Sequence, residues 1–434
     1  MPTSIIINGG NQVTGDIHVS GSKNSGLALM AAALLATGTI ILEGMPPVSD
    51  IKNMSRILQC LGADVSCVDD ALQIGTANTK CHSIPEELSN SLRASILVLG
   101  PLLGRFGRAK LSLPGGCTIG QRPIEEHIKG LEKLGARVKV TERYIEAHTF
   151  QLHGATIHMQ TPSVTGTMNL IMASCLARGV TKIHNAAREP EVADLTGFLI
   201  KMGAQIDGLG TGHLTVVGGY ELSPCRYQVM QDRIEAGTFL ILGAIAGDPL
   251  TVHGCKPEHQ ATLIKKLRAV GATINITVDS VTVHKAKRPL AVDIRTGPYP
   301  AFPTDLQPPF MVLLSLAHGP SRITETIYEG RFDQARGLRA MGADIQIQEQ
   351  TAIISGVRKL SAAHVSGSDL RSAASLVLAA TVAEGMSVVQ GTKYLDRGYD
   401  DLESKLAKIG INLHRSQEAG VIDKSETKLS VSAL

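Results

Sequence analysis

Tryptophan is absent from the 434 residues, and aromatics make up only 3%. A core for a chain of this length must therefore be packed from Leu, Ile, Val, Ala and Met. No CxxC pair occurs among the seven cysteines, which argues against a disulfide or zinc framework. Most of them are expected to be small buried hydrophobes, with Cys60 and Cys175 in helical patterns. G-K-[ST] after a glycine loop, a strand–GxGxxG–helix fingerprint, H-E-x-x-H and G-x-S-x-G are all missing. These absences weigh against a P-loop NTPase, a dinucleotide fold, a zinc hydrolase and a serine hydrolase. The formal net charge is only +3 and there is no basic tail, so a nucleic-acid scaffold is not expected. Apolar stretches such as "LALMAAALLATGTIILEG" (27–44) read as a buried helix and a strand, not a membrane span. The start "MPTSIIINGG" lacks a charged region followed by an apolar run, so a cytoplasmic location is expected.

What is present is a sixfold repeat. "ILQCLGADV", "GLEKLGARV", "FLIKMGAQI", "KKLRAVGATI", "GLRAMGADI" and "SKLAKIGINL" place glycines at 62, 135, 203, 271, 342 and 410. Each phrase reads as an amphipathic helix ended by a left-handed Gly, with a β-branched residue three positions on opening a strand. A second phrase recurs upstream of each: an Ala/Leu-rich helix nearly free of charge, as in "NLIMASCLARGVTKI" (169–183). The unit is therefore about 70 residues of mixed α and β, too long for most solenoids. Two compact domains of three units each fit better, with buried helices inside, sheets outside and a cleft between.

Several polar residues stand at the starts of the buried helices. Lys23 in "GSKN" sits at a helix N-terminus, where anions are favoured; a solvated lysine at a cap is the plainer alternative. Arg93 precedes another buried helix, where it reads equally as a structural ion pair. Asp305 in "FPTDLQ" reads equally as a held carboxylate or an ordinary N-cap. Arg331, Arg371 and Arg397 each lie near a first helical turn, against the helix dipole. Pairing with Glu329, Asp369 or Asp396 would explain each one singly. Cations converging from separate repeats would suit a small substrate carrying phosphate and carboxylate. Cys117 follows Pro114, Gly115 and Gly116, with Arg122 five residues on; the flanking residues suggest an exposed loop.

The motifs "GSKN", "LRAS", "PGGCTIGQRP", "PSV", "NAAREPEV", "DRIEAGTF", "FPTDLQ", "RF" (331–332), "DLR" and "DRGY" run from about residue 6 to 415. Together they closely resemble the enolpyruvyl transferases, in the branch whose acceptor is UDP-N-acetylglucosamine. The resemblance implies a two-domain, inside-out α/β barrel, each domain made of three pseudo-symmetric βαβαββ units. One domain would span 22–230 and carry the cysteine loop, the other 1–21 with 231–417. Residues 418–434 would be a flexible tail. The implied partners are phosphoenolpyruvate and a UDP-sugar or related uridine nucleotide, with no cofactor or metal. Lys23, Arg122 and Arg397 correspond to phosphate ligands, and Arg331 and Arg371 to carboxylate ligands. Cys117 corresponds to the proton donor to C3, which can also form a covalent adduct. Asp305 corresponds to the group that takes the proton of the attacking hydroxyl. Asn24 would lie near the ketal intermediate, and Arg93 and Asp369 at further active-site positions. The sugar nucleotide would lie near Arg122, Ser163, Val164, Thr165, Asp305 and Ile327.

The departures fall on the acceptor side. The usual P-S-V-G-A-T-E-N is "PSVTGTMN" (162–169), so Thr165 replaces a glycine and Met168 an acid. "HMQT" (158–161) replaces an aspartate-containing strand, Gly330 stands in E-N-R-F, and Tyr394 replaces a histidine before D-R-G-Y. A paralogue using another uridine nucleotide, such as UMP in antibiotic assembly, is the main alternative; a non-catalytic binding homologue is a further one, against which stands the retention of Cys117, Asp305 and every cation.

Overall fold

The computed structural model describes residues 3–113 and 124–416. The six repeat helices are Ser49–Cys60, Glu125–Lys133, Pro190–Lys201, Ala261–Ala269, Gln334–Ala340 and Leu402–Lys408. Each is followed by its glycine at φ between 92° and 106°. The ending is the same hydrogen-bonded device every time. Gly62 N donates to Gln59 O and Ala63 N to Leu58 O; Gly410 N donates to Ala407 O and Ile411 N to Leu406 O. Only glycine takes this left-handed position without a Cβ penalty. Each strand opens one residue earlier than expected, for example at Asp64 and Thr273. The sixth carries Leu413 where the others carry Val or Ile.

The charge-poor helices are Lys23–Ala32, Leu99–Phe106, Val164–Cys175, Arg233–Ala246, Gln307–Ser315 and Leu370–Val382. Nearly all their residues are buried, as a helix apolar on every side requires. Around them lie six sheets. Five share one order: a parallel edge strand, then three strands paired antiparallel. In the sixth, of three strands, the parallel edge is reduced to the bridge Ser83–Lys110. Strands with alternating burial, such as Thr39–Glu43, turn one face to the helices and one to water. The fold is the inside-out α/β architecture expected.

Two hydrophobic clusters form. One runs from Leu27 to Val229; the other joins Ile5–Val19 to Ile234–Ile411. The chain passes between them twice, side by side: Ser22 N donates to Met230 O at 2.7 Å and Asp232 N to Ser20 O at 2.8 Å. Of the described cysteines only Cys175 and Cys255 are buried; Cys67 and Cys81 are exposed, correcting the expectation that most are core residues. Cys67 lies in a strand, Asp64–Val68, whose residues are mostly exposed, and Cys81 in a loop.

Candidate functional site

Inner-helix starts and nearby turns bring the cations together. Lys23 is the first residue of its helix, whose cap is Ser22, accepting from Ser25 N at 3.2 Å. Lys23 is not a solvated cap lysine: it is 9% exposed. Its Nζ donates to Asp50 Oδ2 at 3.1 Å, and Arg397 Nε donates to Asp50 Oδ1 at 2.9 Å. Burial lowers the Lys23 pKa; Asp50 opposes this, while Arg371 and Arg397 add to it. Asp50 carries no motif. Its signal is positional, since it shares the buried face of its helix with Met54 and Ile57.

The second cluster is built on Asp305. Arg331 Nη2 reaches Asp305 Oδ1 at 2.7 Å, and Arg371 Nη2 donates to Asp305 Oδ2 at 3.0 Å. Asp305 is not a helix cap; Pro303 and Leu306 hold those positions. Asp369 is one. Its Oδ1 accepts from Arg371 N at 2.8 Å and Ser372 N at 3.2 Å, which starts the helix that carries Arg371. Burial works against the charge of Arg371, but Asp305 and Tyr399 raise its pKa above the ordinary value. Tyr399 accepts from Arg371 Nη1 at 3.4 Å and lies 2.9 Å from Thr238 Oγ1. Arg331 is 4% exposed, and its Nε has no acceptor among the described residues.

The arginines therefore do not pair with sequence neighbours. Their carboxylates come from remote segments, and Asp396 pairs with Arg415 instead. Nor does Arg397 occupy a first helical turn; it lies between the helices Thr392–Leu395 and Leu402–Lys408. Four cations meet two carboxylates in these clusters, which leaves the site cationic and suited to a polyanion.

The remaining residues are positioned as follows. Glu325, fully buried, accepts from Thr296 Oγ1 at 2.8 Å, Thr304 Oγ1 at 2.9 Å and Ile327 N at 2.8 Å, tying Ile327 to the segment that carries Asp305. Asn24 is the second residue of the Lys23 helix, half-buried. Ser163 caps the helix Val164–Cys175 by accepting from Gly166 N at 3.2 Å. Thr165 Oγ1 in that first turn lies 3.1 Å from His127 Nε2, and Met168 faces the core. Arg93 opens the short helix Arg93–Val98 and lies close enough to His127 to depress its pKa. Glu191 pairs with Arg233 at 3.0 Å, joining the two hydrophobic clusters' segments. Cys117 and Arg122 lie outside the described residues. Among the described residues no group of three or more His, Cys, Asp or Glu side chains is arranged to hold a metal ion, and no helix is long and apolar enough to cross a membrane.

Residues 7–406 match the family model of EPSP synthase (3-phosphoshikimate 1-carboxyvinyltransferase). The UDP-N-acetylglucosamine 1-carboxyvinyltransferase of Synechococcus sp. (strain CC9605) is 48% identical over 415 residues, 94% of this chain and 96% of the relative. That of Dichelobacter nodosus is 45% identical over 95% of this chain and 99% of its own. Among solved structures, the enolpyruvyl transferase NikO from Streptomyces tendae superposes with a TM-score of 0.87 at 23% identity, over 96% of this chain and 99% of that one. EPSP synthase from Acinetobacter baumannii gives 0.75 at 19% identity, over 96% and 100%. At these identities the two structures share the fold.

Proposed function

This chain belongs to the EPSP synthase family of carboxyvinyltransferases, and from that membership we propose that it moves the enolpyruvyl group of phosphoenolpyruvate to the 3-hydroxyl of UDP-N-acetylglucosamine. Phosphate is released, and the product is the first committed precursor of peptidoglycan, made in the cytoplasm. The observation that carries this reading is the paired cation cluster. Lys23 and Arg397 share Asp50, and Arg331 and Arg371 share Asp305, which supplies adjacent donors for a phosphate and a carboxylate.

The chemistry is addition followed by elimination. Asp305 takes the proton of the acceptor hydroxyl as its oxygen bonds to C2 of phosphoenolpyruvate, and Cys117 delivers a proton to C3. The resulting ketal carries the phosphate on C2. Return of a C3 proton to the Cys117 thiolate re-forms the double bond as the C2–O bond to phosphate breaks. Lys23, Arg122 and Arg397 stabilise the phosphate and its departure, where partial exclusion of water strengthens each contact. Arg331 and Arg371 hold the carboxylate; Asn24, Arg93 and Asp369 complete the pocket. The addition makes one C2–O bond with proton transfer to C3 and the elimination breaks another with proton loss from C3, so the sequence is redox-neutral and needs no cofactor. The nucleotide rests on Arg122, Ser163, Val164, Thr165 and Ile327. The lobes 22–230 and 1–21 with 231–417 close over both substrates. Cys117 is also the group that the epoxide fosfomycin alkylates.

Thr165 is the feature that favours a second reading, transfer to another uridine nucleotide; Met168, also a departure in the sequence, faces the core and does not bear on the acceptor. Phosphate release from phosphoenolpyruvate, measured in parallel with UDP-N-acetylglucosamine, UMP and shikimate 3-phosphate, tests both. Turnover with UDP-N-acetylglucosamine is expected; turnover with UMP alone would replace the first reading by the second.

A further inference from the structure

His127 is 1% exposed and takes no part in the chemistry proposed above. Its protonation pattern follows from its neighbours. Asn169 Oδ1 accepts from Gly100 N at 2.8 Å, and Asn169 Nδ2 donates to Ile96 O at 2.8 Å, so the amide has one possible orientation. The same Nδ2 lies 2.8 Å from His127 Nδ1. Nδ1 must therefore accept, and the ring hydrogen sits on Nε2. Burial, reinforced by Arg93, pushes the His127 pKa down to about 4, so the ring is neutral at pH 7. Nε2–H then donates to Thr165 Oγ1 at 3.1 Å.

A hydroxyl that accepts from one side keeps its own hydrogen for another acceptor. Among the described residues no acceptor is paired with the Thr165 hydroxyl hydrogen. Thr165 is half-buried in the first turn of its helix, beside the Ser163 cap. Gly100 lies close against the Asn169 backbone: a Cβ there would stand 2.4 Å from Asn169 O.

We propose that His127 is a positioning residue for the acceptor nucleotide: held by Asn169, it commits the Thr165 hydroxyl to donate to a diphosphate oxygen of that nucleotide. The proposal rests on the sugar-nucleotide reading and deepens it. The relay thus takes up one lone pair of the hydroxyl and leaves its hydrogen for an acceptor oxygen at that point.

The test is a double-mutant cycle on the full chain, reading UDP-N-acetylglucosamine affinity by calorimetry and turnover separately. Thr165→Val is expected to weaken binding about tenfold, as loss of one hydrogen bond to a charged acceptor does. Thr165→Ser should bind like the parent. His127→Leu should cost several-fold alone and nothing further in the Thr165→Val background. Costs that multiply in the double variant, or a Thr165→Val variant that binds like the parent, overturn the relay. The Thr165 arm decides the matter if His127→Leu does not fold. If the parent binds the nucleotide and shows the coupling but does not release phosphate, the enzymatic reading fails and the relay stands.

Discussion

Asp50 accepts from Lys23 at 3.1 Å and from Arg397 at 2.9 Å, so one buried carboxylate ties together cations 374 positions apart in the chain. Lys23 belongs to the segment of one hydrophobic cluster and Arg397 to that of the other. Removing the acid should therefore disturb both the geometry and the charge of the phosphate side.

Asp50→Asn is expected to raise the KM for phosphoenolpyruvate by about tenfold or more, since a buried cation loses its counter-charge. It should also shift the alkaline limb of the kcat/KM profile. Burial already lowers the Lys23 pKa and Asp50 opposes that fall. Without the carboxylate Lys23 loses its proton at lower pH, so the limb moves to lower pH. A limb that stays in place would show that Lys23 does not set it.

Asp305 engages both guanidiniums assigned to the phosphoenolpyruvate carboxylate. The two carboxylates compete for the same donors. Asp305→Ala should lower kcat about 10²-fold or more through loss of the base, without raising the KM for phosphoenolpyruvate. Steady-state kinetics in both substrates checks this; a raised KM with unchanged kcat would reverse the roles.

Cys117→Ser should nearly abolish turnover near pH 7, because an alcohol is a far weaker acid than a thiol. Cys117→Asp should stay active, since a carboxylic acid donates the same proton, and should resist fosfomycin. Mass spectrometry that finds residue 117 alkylated in the Asp variant would contradict this.

His127 also predicts an acid sensitivity. Its folded pKa is about 4 against 6.5 in a free chain, so the fold favours the neutral ring. That contribution is fully present above pH 6.5 and is lost as pH falls toward 4, to a limit of roughly 3 kcal/mol. The stability difference between parent and His127→Leu, from urea titrations, should therefore move against the parent across that window. A difference independent of pH would mean that the ring titrates in the fold as it does in the free chain, and one that moves in favour of the parent would mean that the fold holds the ring protonated.

Local patterns in the chain were enough to reveal the six helix–Gly–strand endings, because each is decided within a few residues by helical periodicity and one left-handed glycine. The same holds for the buried helices, whose lack of charge leaves them no wet face. The motifs named the cations, and the alternative that each pairs with a sequence neighbour does not hold. Arg371 sits two residues from Asp369, yet Asp369 is occupied by backbone amides and Asp305 takes the guanidinium. Asp50 was missed because a single acid in an amphipathic helix looks like its solvated neighbours until the face it occupies is known.

Short-range physics thus settled the repeat, its glycine helix ends and the residue types available for catalysis, since propensity and a left-handed glycine act over one turn. Which carboxylate neutralises which cation depended on the three-dimensional packing of the repeats. An ion pair is decided by distance and by exclusion of water, and neither is carried by spacing along the chain. The orientation of the Thr165 hydroxyl belongs to the same class: it is set by Asn169 and His127, which reach it from other helices.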